Sequence, residues 1–258
     1  MIKAVFFDID GTLLSFDTHQ VPASTEKAIQ ELKSKGIKVI VSTGRSINSL
    51  DHIKYLDFDG FITFNGGYCI TKEGDVLFRK GIDAADILSL IDHAAENDIS
   101  FSLMSEEEIS IFQVTPEIAS MYALLNLPVP PQRSYADFDM SSVLQTNIFI
   151  QPEEQEVFMD TIMPNSIASR WTPLFADVNP LGQSKQVGID IFIKHFDIDL
   201  KETMSFGDGG NDITMLKHTA YGIAMGNANP EVKAIADYIT DDVDNDGIYN
   251  ALAHFGVI

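Results

Sequence analysis

Ala4-Val5-Phe6-Phe7-Asp8-Ile9-Asp10-Gly11-Thr12 is the stretch on which the fold turns. Four apolar residues in a row, with no polar alternation, read as a short strand buried on both faces. Two carboxylates two residues apart stand at its end. Such a pair is costly beside a buried strand unless a cation or a reaction uses it. Gly11 lets the backbone approach closely there.

Outward from this strand the chain alternates. Ala23 to Lys35 reads as a helix, with Ala28, Ile29 and Leu32 on one face and Gly36 as its stop. Ile37 to Ser42 is a second apolar strand, Ser46 to Tyr55 a helix and Phe61 to Phe64 a third strand. A hairpin follows, with Tyr68-Cys69-Ile70 and Val76-Leu77-Phe78 around Lys72-Glu73-Gly74-Asp75. Unbroken apolar strands separated by helices predict a parallel sheet covered by helices.

From about Gly81 the style changes. Helices are expected over Ala84 to Glu96, Pro116 to Leu125 and Glu153 to Met163. The strands expected between and after them are Ser100 to Met104, Ile109 to Gln113, Val143 to Ile150, Ile167 to Trp171 and Leu174 to Val178. Short turns between neighbours suggest an antiparallel sheet with helices on one side. Beyond Pro180-Leu181-Gly182 the first style returns. A helix runs from Ser184, its candidate N-cap, to His195, and a strand Met204-Ser205-Phe206 ends at Asp208. Asp212 to His218, Ala224-Met225, Val232 to Ala236 and Tyr238-Ile239 continue the alternation. The predicted fold is therefore α/β. A parallel, Rossmann-like core comprises residues 1–81 and 183–258, and an α+β module, residues 82–182, is inserted in it.

Composition narrows the function. The 258 residues, 45% hydrophobic and 21% charged, are those of an ordinary globular protein. No run approaches the roughly 18 apolar residues of a membrane span, and Lys3 precedes only four apolar residues, so no signal peptide is expected. One cysteine, Cys69, allows no internal disulfide. A cytoplasmic protein without membrane partners is the expectation. The net charge of −21 argues against nucleic acid, whose phosphates need clustered Lys and Arg. A small anionic ligand would need local positive charge from a metal, a lysine or helix N-termini.

In an open parallel sheet ligands sit beyond the carboxyl ends of the strands. Asp8, Thr43 and Asp208 each stand at or just after such an end. Asp8 and Asp208 suit magnesium, a hard ion that takes about six oxygens. A carboxylate can attack phosphorus to form an acyl phosphate, and a second acid must protonate the departing oxygen. Asp8 and Asp10 offer those two roles. Lys185, the Thr43 hydroxyl and the Gly44 amide would balance the phosphoryl oxygens. Arg45 is left out of this set as a partner for a nearby carboxylate.

Asp8-Ile9-Asp10-Gly11-Thr12, Thr43-Gly44-Arg45, Lys185 and Gly207-Asp208-Gly209-Gly210-Asn211-Asp212 resemble, in order and spacing, the four signature motifs of the haloacid dehalogenase (HAD) superfamily. The inserted module looks like the type IIB cap of the Cof-like phosphatases, and the resemblance covers essentially the whole chain, Asn65-Gly66 included. It implies a magnesium-dependent phosphatase of small phosphorylated metabolites, often sugar phosphates, working through an aspartyl-phosphate. In that scheme Asp8 matches the nucleophile and a metal ligand. Asp10 matches the general acid/base and lends its backbone carbonyl to the metal. Thr43, Gly44, Lys185 and Asn211 match phosphate-binding positions. Asp208 matches the acidic metal ligand, and Asp212 the residue that orients a water on the metal. The cap would choose the leaving group and close over it.

Two rival functions share these residues: a phosphotransferase or mutase using the same intermediate, and a non-catalytic metabolite-binding protein. Asp242-Val243-Asp244-Asn245-Asp246-Gly247 matches the first half of an EF-hand loop, but Ala253 stands where its last ligand should be. A solvated acidic loop is expected there. Asn211 could also serve as an N-cap. In the cap, Arg170, Trp171 and Asp177 offer an aromatic face and polar tips for a sugar. Trp171 in the cap core and Asp177 at the surface is an equally good expectation. The sequence does not fix the metabolite or the oligomeric state.

Overall fold

β1 (Ala4–Phe7) lies in the middle of an eight-stranded sheet, and every one of its residues is buried. In this computed structural model, residues 1–51, 53–97, 99–124, 128–134, 138–170 and 172–258 are described. They fall into two compact units: residues 1–45, 50–78 and 184–258, and residues 46–49 and 79–183.

In the first unit, β1 pairs with β2 (Lys38–Ser42) on one side and with β11 (Thr203–Gly207) on the other, both in parallel. Phe7 lies opposite Val41 and Phe206, so the three chains end level with one another. β3 (Gly60–Thr63) continues the parallel set beyond β2, and β12 (Tyr221–Ala224) and β13 (Tyr238–Ile239) continue it beyond β11. β4 (Tyr68–Thr71) runs antiparallel to β3, and β5 (Val76–Arg79) forms the outer edge. Consecutive strands thus depart in opposite directions from β1. That is the arrangement in which an open α/β sheet leaves a crevice at its strand ends.

Helices cover this sheet because their apolar positions recur every three or four residues. α1 (Ala23–Ser34) buries Thr25, Ala28, Ile29 and Leu32, and Gly36 ends it with φ +74. α5 (Lys185–Phe196) buries Lys185, Gly188, Ile189 and Phe192, and Ile189 and Phe192 join Phe6, Ile40 and Ile62 in one core. Ser184 occupies the N-cap position of α5, but its hydroxyl makes no capping bond. α6 (Ile213–His218) and α7 (Pro230–Lys233) complete the return to the sheet, and α8 (Gly247–His254) packs on α1. The sequence reading contained no helix in this last segment.

The helix expected over Ser46 to Tyr55 is absent among the described residues; a single 3₁₀ turn, Ile47–Ser49, stands in its place. Ser49 N–H bonds to Ser46 O, Ile53 N–H to Leu50 O, and the Ser46 and Ser49 hydroxyls meet at 2.9 Å. Short polar side chains here give the backbone three-residue closures that compete with an α-helix.

The second unit is a five-stranded antiparallel sheet. Its strands are β6 (Phe101–Met104), β7 (Ile109–Ile111), β8 (Gln145–Ile148), β9 (Ser166–Ser169) and β10 (Ala176–Pro180), in the order β7-β6-β8-β10-β9. α2 (Ala84–Asn97) and α4 (Gln155–Ile162) supply Ile87, Leu90, Ile91 and Phe158 to a core with Phe101, Leu103, Ile148 and Val178. α3 (Pro116–Leu124) packs instead with Ile111 and Phe175. Ile111 pairs with Ser102, whose side chain points away from that of Phe101, so helices lie on both faces rather than on one. No helix among the described residues is long and apolar enough to cross a membrane.

Candidate active site

Three carboxylates come together where β1 and β11 end. Asp8, Asp208 and Asp212 each place an oxygen within 4.8 Å of the other two. Asp8 follows β1 directly, and its amide donates to Phe206 O at 3.0 Å. Asp208 follows Gly207, the last residue of β11. Asp212 ends the 3₁₀ turn Gly210–Asp212, and its Oδ2 accepts from the amides of Asp208 (3.0 Å) and Gly209 (2.9 Å). Two close approaches allow this packing. A Cβ on Gly207 would sit 2.5 Å from Asp212 Cβ, and one on Gly11 would sit 2.2 Å from Asp208 Oδ2.

Lys185 joins the group from the first turn of α5. It is 0% exposed, and its Nζ donates to Asp8 Oδ1 at 2.5 Å and to Asp212 Oδ1 at 2.6 Å. A buried ammonium is tolerated only with such partners. Burial disfavours its charge, but Asp212 and Asp8 outweigh that and hold it protonated above its ordinary range. Asp8 is pushed up to about 7, first by burial and then by Asp212, with Lys185 pulling the other way. Asp208 is raised well above the usual carboxylate range, chiefly by burial and then by Asp8, Asp212 and Asp10.

Asp10 faces Arg45. The guanidinium donates Nε to Asp10 Oδ2 at 2.8 Å and Nη2 to Oδ1 at 2.6 Å, a two-pronged pair. The turn that carries Arg45 is held by Thr43, whose Oγ1 accepts the Arg45 amide and whose amide donates to Ile62 O. Gly44 lies between them, just beyond the end of β2. Asn211 donates to Asn65 Oδ1 at 3.0 Å, and the Asn65 amide donates to Thr43 O. Asn211 lies inside the 3₁₀ turn and is not the N-cap of the helix that follows. Thr12 and Asn227 touch Asp208, at 3.4 Å to Oδ1 and 3.5 Å to Oδ2. The Asp-x-Asp spacing gave no sign of Thr12 as a contact, and Asn227 lies in a segment without a charged motif.

The donor set fits a hard divalent cation. Every candidate ligand is an oxygen, and no thiolate or imidazole joins the cluster among the described residues. With Asp8, Asp10, Asp208 and Asp212 ionised, Lys185 and Arg45 balance two of the four negative charges. The remainder equals the charge of one divalent ion. Asp212 is the least available ligand, since both of its oxygens already accept hydrogen bonds.

The sequence pattern that defines the family described as haloacid dehalogenase-like hydrolase spans residues 5–252. The chain belongs to this family. Among HAD-family relatives it is 33% identical to Bacillus subtilis YkrA, which carries a provisional phosphatase name; the match covers 99% of this chain and 98% of YkrA. The HAD subclass IIB sugar phosphatase BT4131 superposes with a TM-score of 0.92 at 41% identity, covering 99% of this chain and 100% of that one. The HAD phosphatase BT1666 of Bacteroides thetaiotaomicron does so with a TM-score of 0.92 at 39% identity, covering 100% and 96%.

The other sequence candidates separate in the second unit. Arg170 donates to Gln155 Oε1, Pro173 O and Ile150 O. Trp171 lies outside the described residues. Asp177 is buried, not at the surface, and its Oδ1 accepts from Asn147 Nδ2 at 2.6 Å and Gln145 Nε2 at 3.3 Å. The 242–247 segment is an exposed acidic loop, as its composition suggests, apart from buried Val243 and Gly247. Ser15 Oγ donates to Asp244 Oδ2 there, and Asn250 Nδ2 to Asp241 Oδ2.

Proposed function

We propose that this HAD-family hydrolase is a magnesium-dependent phosphatase of small organic phosphate monoesters, sugar phosphates foremost, acting through an aspartyl-phosphate on Asp8. The observation that carries this reading is the Asp8–Lys185–Asp212 chain beside Asp208, at the ends of the two central strands. A buried lysine shared by two carboxylates keeps Asp8 oriented, and it offers its charge to an incoming phosphoryl group.

The steps follow from these groups. An Asp8 carboxylate oxygen attacks phosphorus, and the bond from phosphorus to the ester oxygen breaks. Asp10, protonated, gives its proton to the departing oxygen, which leaves as an alcohol. Asp10 then takes a proton from water as that water attacks the aspartyl-phosphate. The bond from phosphorus to Asp8 breaks, inorganic phosphate leaves and the carboxylate is restored. Thr43, Gly44, Lys185 and Asn211 hold the phosphoryl oxygens, while Asp212 fixes Lys185 and the Asp208 loop. Magnesium held by Asp8, Asp208 and the Asp10 carbonyl would neutralise charge on the phosphoryl group.

We assign substrate choice to the inserted unit. The face of its sheet opposite α2 and α4, on which α3 also packs, carries Ser102, Gln145, Asn147, Asp177 and Asn179, all buried and linked by hydrogen bonds of 2.6–3.3 Å. Amides and a carboxylate are the groups that read sugar hydroxyls. The sugar-phosphatase description of BT4131 supports the same class.

The test is phosphate release by purified protein with Mg2+ across a panel of sugar, polyol and nucleotide monophosphates, beside Asp8→Asn. Turnover of sugar phosphates by the wild type and none by the variant is expected. Silence across the whole panel would refute the reading.

A further inference from the structure

We propose that Asn227 is a positioning residue whose carboxamide aims Asp208 and the Gly11 peptide, and so sets the affinity of the acidic centre for a divalent cation. The inference rests on the metal-dependent reading above.

The backbone around Asn227 is tied down before its side chain acts. Met225 N–H bonds to Gly207 O, Gly226 N–H to Asp241 O, and Asn229 N–H to Asp208 O, at 3.0–3.1 Å. The segment after β12 is thus laced to the end of β11. The carboxamide then has one orientation. Its Oδ1 accepts the Val243 amide at 3.0 Å, so the NH2 group faces the opposite way. That group donates to Gly11 O at 2.7 Å and to Asp208 Oδ2 at 3.5 Å.

Both contacts concern groups that would meet a cation. Asp208 is held on one oxygen by the Thr12 hydroxyl and on the other by Asn227. Neither partner is charged, so the carboxylate is aimed without being neutralised. Asp212, by contrast, is taken up by Lys185 and two amides. At Gly11 the carbonyl is pinned by Asn227, and the amide donates to Leu14 O at 2.8 Å. That amide shares a peptide plane with the Asp10 carbonyl. Fixing Gly11 at both of its polar groups therefore fixes the direction in which the Asp10 carbonyl points. A tie between loops needs only the Val243 and Gly11 bonds. The second amide hydrogen, directed at Asp208, is what a mere tie does not require.

Partners that orient metal ligands are worth about 10–100-fold in metal affinity. The Asp208 contact is long, which places the expectation near the lower figure. The experiment is calorimetric titration of substrate-free protein with Mg2+, paired with the melting temperature of the metal-free protein. Wild type, Asn227→Ala and Asp244→Ala are compared. Asp244→Ala loosens the same 241–246 loop by removing its bond to Ser15, without touching Asp208. Asn227→Ala is expected to bind Mg2+ roughly tenfold more weakly, with kcat recovered at saturating Mg2+, and Asp244→Ala to bind as wild type. Wild-type Mg2+ affinity in Asn227→Ala overturns the proposal whatever its melting temperature, and so does an equal loss in Asp244→Ala. If Asn227→Ala does not fold, Asn227→Ser takes its place: it keeps a small polar side chain too short to reach Asp208. A wild type that binds no Mg2+ sinks the metal-dependent reading itself, which separates the two failures.

Discussion

Arg45 holds Asp10 with two prongs of its guanidinium, at 2.8 and 2.6 Å, and only 8% of the Arg45 side chain is exposed. The pair joins the turn after β2 to the turn after β1. It sets the direction of a carboxyl group that, in the proposed reaction, must face the departing oxygen. Lysine keeps the charge but not the planar fork. Arg45→Lys is expected to lower kcat for p-nitrophenyl phosphate about tenfold, on the scale of general acid-base help worth about 10²–10⁴ in full, with Mg2+ affinity unchanged. Steady-state kinetics at several Mg2+ concentrations decide it, and an unaltered kcat removes Arg45 from the argument.

Lys185 is the second dependence. Removing one member of a buried charge cluster leaves the others unpaired, at a cost of about 3–5 kcal/mol. Lys185→Met strands Asp8 and Asp212 against each other, since both accept from Nζ. The metal-free variant is expected to melt well below wild type, and added Mg2+ to restore part of the loss. Denaturant unfolding with and without Mg2+ measures both. A variant of unchanged stability contradicts the burial and pairing described for this lysine.

The acidic centre also makes stability depend on pH. Asp8 is raised by burial and by Asp212 from 3.8 to about 7. Between those values the folded protein keeps a proton that the unfolded chain has released, so folding loses stability as pH rises through that window. Asp208 acts in the same direction. Lys185, raised above its ordinary 10.5, keeps its contribution until strongly alkaline pH and stays constant across this range. The melting temperature of metal-free protein is expected to fall between about pH 4 and about pH 7. Asp8→Asn should flatten part of that fall, and Mg2+ should restore stability at the upper end. Parallel curves for wild type and Asp8→Asn would count against the assignment.

What the sequence disclosed follows from where its information is local. β1, β2 and β11 are legible because strands buried on both faces must be apolar throughout, and Asp8, Thr43 and Asp208 then mark their ends. The lack of a helix after Ser46 depends on hydroxyl and amide contacts among neighbours, which apolar periodicity does not register. α8 was hidden because the acidic run before it reads as loop, while its anchor is a distant surface on α1. Asn227 was invisible for a related reason: its partners Gly11 and Asp208 are joined to it only by the fold. The pairing of Arg45 with a nearby carboxylate was readable, but not that the carboxylate is Asp10.

Gly11 offers the sharpest steric test. Its φ of +77 already disfavours any side chain, and a Cβ there would meet Asp208 Oδ2 at 2.2 Å and Phe16 Cε2 at 2.8 Å. Asp208 must therefore give way in Gly11→Ala, and the peptide carrying the Asp10 carbonyl must turn with it. Strain at such a position costs about 1–3 kcal/mol, which a protein of ordinary stability survives. The variant is expected to fold with a lowered melting temperature, to bind Mg2+ much more weakly than wild type, and to lose kcat/KM even at high Mg2+, because both sides of the centre have moved. The last point separates it from Asn227→Ala, where saturating Mg2+ recovers kcat. Calorimetry and kinetics on the same preparation supply the comparison. A Gly11→Ala protein with wild-type metal affinity would mean that Asp208 is not confined as the structure has it.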